Sequence, residues 1–408
     1  MSDPDIAGEE DVLLLSPFFA PEPISTGRYN AHLARGLVAA GHRVRVICSH
    51  PLYPDWVATE SNAEEAGMTI ERGGARVRYP TSNVPRRLVL ELWYAWHVAR
   101  RLRARRHQGQ HVLLVLPPVL FALPLLLLPR ARQGRVIGVV HDLYGIMATS
   151  AGGGWRRGVA GLIGRVERAV LRRCDRLIAL SGAMREALVE RYGVPRERID
   201  VAYPFETLGE LPPPAQALAQ EMPASQRHVV YSGALGEKQM PALLASVFAH
   251  LSAAAPDLVC HIFSAGPTFE ALRIEHDRHP RLRFHPLVPE AQLAELYARS
   301  TLQVLPQAPG TGAGAFPSKL PNLIAAGVPV FALCDGDSEV AQVLREAEAG
   351  TSIAGEEAAA IAAALKIYLD QLTEEPRGTR RTRLAPYVDR HFRVQGLLAK
   401  LALGARGA

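Results

Sequence analysis

The chain has 408 residues, 48% of them hydrophobic and 21% charged, which excludes a disordered or fibrous protein and points to two domains rather than one core. A formal charge of +6 favours acidic partners without choosing among nucleic acid, anionic lipid and phosphorylated small molecules. Cys48, Cys174, Cys260 and Cys334 share no short spacing, which argues against a zinc site or a disulfide framework and for reduced core thiols in a cytosolic protein.

The opening MSDPDIAGEED is acidic and polar, unlike the basic then apolar start of a secretory signal, so the protein is expected in the cytoplasm. Asp11–Ser16 (DVLLLS) is an apolar run closed by Pro17 and predicts a strand buried on both faces. After a loop of proline and small residues, Tyr29–Ala40 has helical spacing, Gly41 ends that helix, and Arg43–Cys48 (RVRVIC) is the next strand. Strand, loop, helix and strand in this order open a doubly wound parallel sheet, whose ligands lie beyond the strands' carboxyl ends.

Val112–Pro129 is apolar enough to span a bilayer, but Pro117, Pro118, Pro124 and Pro129 interrupt it. It reads instead as a strand, His111–Leu116, then a turn and a short buried helix. Val136–Val140 is a strand ending at His141 and Asp142, Val159–Arg173 a helix, and Arg176–Leu180 a strand leading into a helix opened by Ser181. Strand-like Ile199–Ala202 then meets Glu206–Gln226, whose prolines and weak periodicity suit a linker between domains.

The alternation restarts with the strand His228–Ser232 and Gly233. Helices follow at Pro241–Ser252, Thr268–His276 and Glu290–Arg299, with strands at Val259–Phe263, Arg281–His285 and Leu302–Pro306. A glycine-rich loop, GTGAGAFPSK, leads into a helix to Ala326 and the strand Val328–Leu333. A final helical stretch, Pro386–Leu403, fits either domain. Two doubly wound α/β domains account for this pattern better than one large sheet.

Three blocks carry a family likeness: SPFFAPEPISTGRYNAHLARGLVAAGHRVRVIC, ERAVLRRCDRLIALSGAMREALVERYGVPRERIDVAYPF and FPSKLPNLIAAGVPVFA. In this order they resemble family 4 glycosyltransferases of the GT-B fold, in the bacterial surface-polysaccharide branch whose members often carry a PSK motif. The resemblance implies two Rossmann-like domains facing a central cleft: residues 1–205 for the acceptor, residues 206–385 for the nucleotide sugar, and a C-terminal helix, 386–408, crossing back onto the first. It implies a retaining, metal-independent transferase, hexosyl- or N-acetylhexosaminyl-type, with a UDP- or GDP-linked co-substrate and no further cofactor. The acceptor it implies is a glycan or lipid diphosphate in polysaccharide, lipopolysaccharide or glycoconjugate synthesis. A nucleotide-sugar epimerase or a non-catalytic relative of the same fold is the alternative.

Without a metal, fixed cations and backbone N–H groups must meet the charge that builds on the departing diphosphate. Lys238, in GALGEKQM beyond Gly233, stands where the family places its phosphate-binding lysine; a solvated loop lysine is the plainer reading. In the later loop, Gly310, Gly312 and Gly314 permit close backbone approach, and Pro317 suits a first helical turn. Ser318 and Lys319 would add a hydroxyl and a cation at a phosphate-attracting helix start, and Gly314, Ala315, Phe316 and Pro317 join the donor site by the same alignment. Many family members have two glutamates here with seven residues between them; this chain has Gly314 and Asn322, leaving Asn322 as a hydrogen-bonding substitute.

In the first domain, His141 ends a strand where the family often places a histidine near the donor sugar, although a buried histidine satisfying a carbonyl is also compatible. Gly27 and Arg28 open a helix toward the same cleft and are candidate phosphate or acceptor contacts. Between Arg86 and Arg106, Leu88, Leu92, Trp93, Trp96 and Val98 stand among seven arginines. Such a helix either lies on an anionic bilayer or packs on the sheet with a solvated arginine face. No zinc-finger spacing or aromatic RNA-binding motif supports nucleic acid as the partner.

Overall fold

Val12–Leu15 (β1) is four apolar residues buried to within 1% of full enclosure, which requires cover on both faces of the sheet they belong to. The sheet is parallel throughout, in the order β3-β2-β1-β4-β5-β6-β7, and it includes Val44–Ser49 (β2), Met68–Gly73 (β3), His111–Leu116 (β4), Val136–Val140 (β5), Arg176–Ala179 (β6) and Ile199–Val201 (β7). The computed structural model describes residues 11–22, 24–53, 55–104, 111–123, 134–143, 154–209, 216–372, 375–401 and 403.

Ser25–Ala39 (α1), Asn83–Ala104 (α2), Gly154–Arg173 (α3) and Gly182–Glu190 (α4) accompany this sheet. Helix α1 begins four residues before the expected Tyr29, because serine, threonine and glycine are tolerated in a first turn whose N–H groups need no intrahelical partner. Ser181 caps α4 as expected, its hydroxyl accepting from the Met184 N–H at 3.0 Å. Strand β3 was not expected: MTIERG alternates too little to stand out, and its polar residues fit an edge strand. Arg45, 1% exposed on β2, is neutralised there by Glu71 at 2.8 Å.

The 112–129 stretch begins as the expected strand and then turns through a short 3-10 helix at Leu120–Ala122; the rest of the expected helix lies outside the described residues. Among the described residues no helix is long and apolar enough to cross a membrane. The four cysteines are unpaired and buried.

A second parallel sheet has the order β10-β9-β8-β11-β12-β13. Its strands are Arg227–Ser232 (β8), Leu258–Phe263 (β9), Leu282–His285 (β10), Leu302–Pro306 (β11), Val330–Leu333 (β12) and Gly350–Ile353 (β13). Pro241–Ala254 (α5), Pro267–Glu275 (α6), Leu293–Arg299 (α7), Leu320–Ala325 (α8), Glu339–Ala347 (α9) and Ala358–Gln371 (α10) belong with it. Its core joins Leu244, Phe248 and Leu251 of α5 to Ile361 and Leu365 of α10 and to the inward residues of the strands.

Among the described residues, one unit runs to Tyr203 and takes in Ala313–Ala315 and the chain from Val394; the other comprises Pro204–Gly312 and Phe316–Arg393. The expected single helix from Pro386 is two. Arg377–His391 (α11) continues through Pro386 and belongs to the second unit, and Val394–Leu401 (α12) belongs to the first. Between them Phe392 is fully buried. Helix α12 lies on α1, where a Cβ added to Gly36 would meet Val394 Cγ2 at 3.1 Å.

Candidate active site

In each sheet the strand order reverses once, between β1 and β4 and between β8 and β11, and such switch points leave a crevice at the strands' carboxyl ends. Gly233 and Lys238 follow β8, and the glycine-rich loop follows β11. The structure ties the two loops together: the Ala308 N–H donates to the Lys238 carbonyl at 2.8 Å. Lys238 itself rides on a single 3-10 turn, Glu237–Gln239, and is partly exposed.

Lys319 reaches the same place from the far end of the loop. Its ammonium donates to the Ser232 carbonyl at 2.8 Å and lies 4.0 Å from the centre of the Tyr231 ring. The residue as a whole is partly exposed while its ammonium is enclosed, and this burial pushes its pKa down to about 7. Gly233 is held by two demands: its φ of +141° disfavours a side chain, and an added Cβ would stand 3.3 Å from the Lys319 Nζ.

Two expectations for this loop change. Helix α8 spans only Leu320–Ala325, with Pro321 rather than Pro317 in its first turn. It is therefore too short to offer the phosphate-attracting terminus expected there, and Lys319 turns back to β8 instead of lining that end. Asn322 is 8% exposed and both ends of its amide are taken: Oδ1 accepts from the Thr207 N–H at 2.8 Å and Nδ2 donates to Thr207 Oγ1 at 3.1 Å. It holds the chain just past Tyr203 rather than presenting itself to a ribose. Of the loop glycines, Gly310 has a positive φ, +71°, and its N–H donates to Asp335 Oδ2 at 2.8 Å. Phe316 is buried, and Pro317 and Ser318 are partly so.

In the first unit Gly27 sits in the first turn of α1, where a Cβ would come within 2.8 Å of Glu22 Cβ and 2.9 Å of its carbonyl oxygen, so only glycine fits. Arg28 follows, with its Nε buried and without a hydrogen-bond partner among the described residues. His141 leaves the end of β5, its N–H donating to the Leu116 carbonyl at 2.8 Å, and its ring stands edge-on to Tyr29 at 4.6 Å. The Nε2 is buried and has no hydrogen-bond partner among the described residues, and burial drives the pKa down to about 4 against the pull of Asp142. The imidazole is therefore neutral at physiological pH, suited to exchange a hydrogen bond with a ligand hydroxyl rather than to carry charge. The next residues meet the glycine loop: Asp142 bridges Ala315, and the Leu143 N–H donates to the Gly314 carbonyl at 3.1 Å.

Within the first unit the candidates are Gly27, Arg28, His141, Gly314 and Ala315; within the second they are Gly233, Lys238 and Lys319. Sequence reading missed Tyr231 and Tyr29, which sit in a strand and a helix that read as core, and Thr207, which no motif marks. Among the described residues no group of three or more His, Cys, Asp or Glu side chains is placed to hold a metal ion.

Comparison with known proteins agrees with the two-sheet fold. Residues 26–205 match the family model described as Glycosyltransferase Family 4, and residues 226–371 match Glycosyl transferases group 1. WcaI of Escherichia coli K12, a glycosyl transferase assigned to colanic acid biosynthesis, is 24% identical over 81% of this chain and 85% of its own. Sucrose-phosphate synthase from Thermosynechococcus elongatus superposes with a TM-score of 0.72 at 18% identity, covering 97% of this chain and 98% of that one. Alr3699/HepE of Anabaena in complex with UDP-glucose gives 0.65 at 14% identity, over 97% and 98%. With two Rossmann-like parallel sheets and both halves matched, the chain belongs to the family 4 glycosyltransferases of the GT-B fold.

Proposed function

We propose that this glycosyltransferase moves a sugar, with retention at the anomeric carbon, from a UDP- or GDP-linked donor to a glycan or lipid-diphosphate acceptor in bacterial surface-polysaccharide synthesis, and that it needs no divalent metal. The observation that carries the reading is the joining of Gly233, Lys238 and Lys319 at the β8–β11 switch point. The two lysine side chains there suit an outgoing diphosphate, whose charge is otherwise the main obstacle to leaving. The acceptor hydroxyl bonds to the anomeric carbon on the face from which the diphosphate departs; the carbon–oxygen bond to phosphate breaks, and the hydroxyl proton passes to the departing phosphate oxygen. His141, neutral and with Nε2 lacking a partner among the described residues, is the group suited to a hydroxyl of the donor sugar.

The likeness to WcaI supports surface polysaccharide as the product, and the UDP-glucose complex of Alr3699/HepE supports a uridine donor. Helix α2 supports an acceptor held at a membrane. Its buried face carries Leu90, Tyr94, Val98 and Leu102, yet Val84, Leu88, Leu92 and Trp96 form a second apolar row left 38%, 40%, 57% and 58% exposed. Exposed Arg87, Arg100 and Arg103 accompany that row, the composition of a helix seated on anionic lipid.

Thermal denaturation with UDP and GDP, each with and without EDTA, tests the donor and metal claims. A fitting nucleotide at about a hundred times its Kd adds about 2.7 kcal/mol to stability. Stabilisation by either nucleotide that survives EDTA is expected. No shift with either one overturns the donor reading, and a shift abolished by EDTA overturns metal independence.

A further inference from the structure

We propose that Phe18, Trp56, Tyr79 and Arg86 form a carbohydrate subsite that seats a pyranose ring of the acceptor glycan, an inference that rests on the transferase reading above. Each aromatic residue lies on a loop leaving the carboxyl end of one of three adjacent parallel strands. Phe18 follows β1, Trp56 follows β2 and Tyr79 follows β3, so the parallel pairing delivers all three to one edge of the sheet. Parallel sheets of this kind bind ligands at that edge.

Local bonds then fix the loops. An antiparallel bridge between Val57 and Arg78 sets Trp56 beside Tyr79. Glu22, 1% exposed, accepts from the Leu52 and Tyr53 N–H groups at 2.7 and 3.0 Å and joins the β1 loop to the β2 loop. The rings of Phe18 and Trp56 are 6.3 Å apart and nearly perpendicular, and those of Trp56 and Tyr79 are 5.7 Å apart. Arg86, in the first turns of α2, places its guanidinium 4.5 Å from the centre of the Trp56 ring.

Three features separate this cluster from a small core. Its rings stay partly exposed, whereas Phe19, next to Phe18, is 1% exposed in the true core. Trp56 has a φ of +57°, a conformation that costs a bulky residue energy and is typical of residues held in place for function. The Tyr79 hydroxyl is buried without a hydrogen-bond partner among the described residues, an unmet demand that a ligand hydroxyl satisfies. Aromatic surface with a few fixed polar groups at its rim is the recognition chemistry of a pyranose, which offers C–H faces to rings and hydroxyls to donors and acceptors. Arg86 contributes donors from its edge.

Saturation-transfer NMR with the methyl glycosides of glucose, galactose, fucose and N-acetylglucosamine tests the subsite on the full chain. At least one of the four is expected to bind the wild type. Trp56→Ala should weaken that binding on the order of tenfold, Trp56→Phe less, and Arg86→Gln measurably, while stabilisation by UDP or GDP is unchanged. If Trp56→Ala does not fold, Trp56→Phe and Arg86→Gln carry the test. A wild type that binds none of the four overturns the subsite, as does undiminished binding by the folded variants. Glycoside binding that depends on Trp56 in a protein that neither nucleotide stabilises upholds the subsite and removes the donor reading.

Discussion

Lys319 donates to the Ser232 carbonyl at 2.8 Å from a residue 87 positions away in sequence, with the Tyr231 ring 4.0 Å from its ammonium. The contact places a cation in a site whose burial opposes charge, and the pKa falls to about 7. The unfolded chain keeps this lysine protonated up to about pH 10, so it binds more protons than the folded chain between about pH 7 and 10. Stability from this residue therefore rises with pH across that window. Lys319→Met lacks the term, so the Tm of the variant relative to wild type should be highest near neutrality and fall as the medium becomes alkaline. A difference that stays constant with pH means the ammonium is not desolvated in solution.

Lys238 is anchored through its backbone, the carbonyl accepting from Ala308, so its side chain is removable without releasing the turn. Lys238→Ala should fold as wild type and lose on the order of 10²-fold in kcat, the scale for deleting one charge-stabilising donor. An unchanged turnover number takes Lys238 out of contact with the departing phosphate.

The second unit contains a row of three histidines on adjacent strands. His228 Nε2 lies 2.8 Å from the Pro223 carbonyl, His228 Nδ1 lies 3.0 Å from His261 Nε2, and His261 Nδ1 lies 3.0 Å from His285 Nε2. The carbonyl only accepts, so with all three rings neutral each Nε2 carries the hydrogen and donates along the row. Burial lowers all three pKa values, His261 to about 2; Arg283 and Arg299 act in the same direction, and Glu221 opposes at His285. Because the folded values lie below the unfolded one, the unfolded chain takes up protons as the pH drops below about 6.5, and stability falls with acidification. His261→Leu should cost about 1–3 kcal/mol at neutral pH by orphaning two ring nitrogens, and it should flatten the decline between about pH 6.5 and 5. Denaturant unfolding at several pH values checks both effects, and an acid slope equal to wild type rejects the account.

Liposome sedimentation separates the two roles open to α2. Replacing Leu88, Leu92 and Trp96 by serine, or Arg87, Arg100 and Arg103 by glutamate, should release the protein from anionic vesicles and leave its stability within about 0.5 kcal/mol, since these side chains face solvent. Arg101 is left in place because it pairs with Glu71 at 3.5 Å. Equal sedimentation of all three proteins ends the membrane assignment for this helix.

The α/β alternation, the identity of most strands and the glycine loop were legible from local pattern, whereas Lys238 and His141 stood out only through the family resemblance. Apolar runs, caps and glycines act over a few residues, and local spacing records them. The row of exposed apolar residues on α2 was visible as composition, but which residues faced inward was not, because a helix with two apolar rows has two possible buried faces until the sheet claims one.

Residues alone therefore determined a pair of doubly wound units and a glycine-rich loop after β11 in the second. Tertiary structure decided what the side chains do: Lys319 faces β8 rather than its own helix, Asn322 serves Thr207 from 115 positions away, and Phe18, Trp56 and Tyr79 meet although three separate loops carry them. The reason is physical. Hydrogen bonds and ring contacts depend on distance in space, and parallel strands need a long crossover, here helix α1 between β1 and β2 and a loop between β2 and β3, so neighbours at the carboxyl edge are remote in sequence.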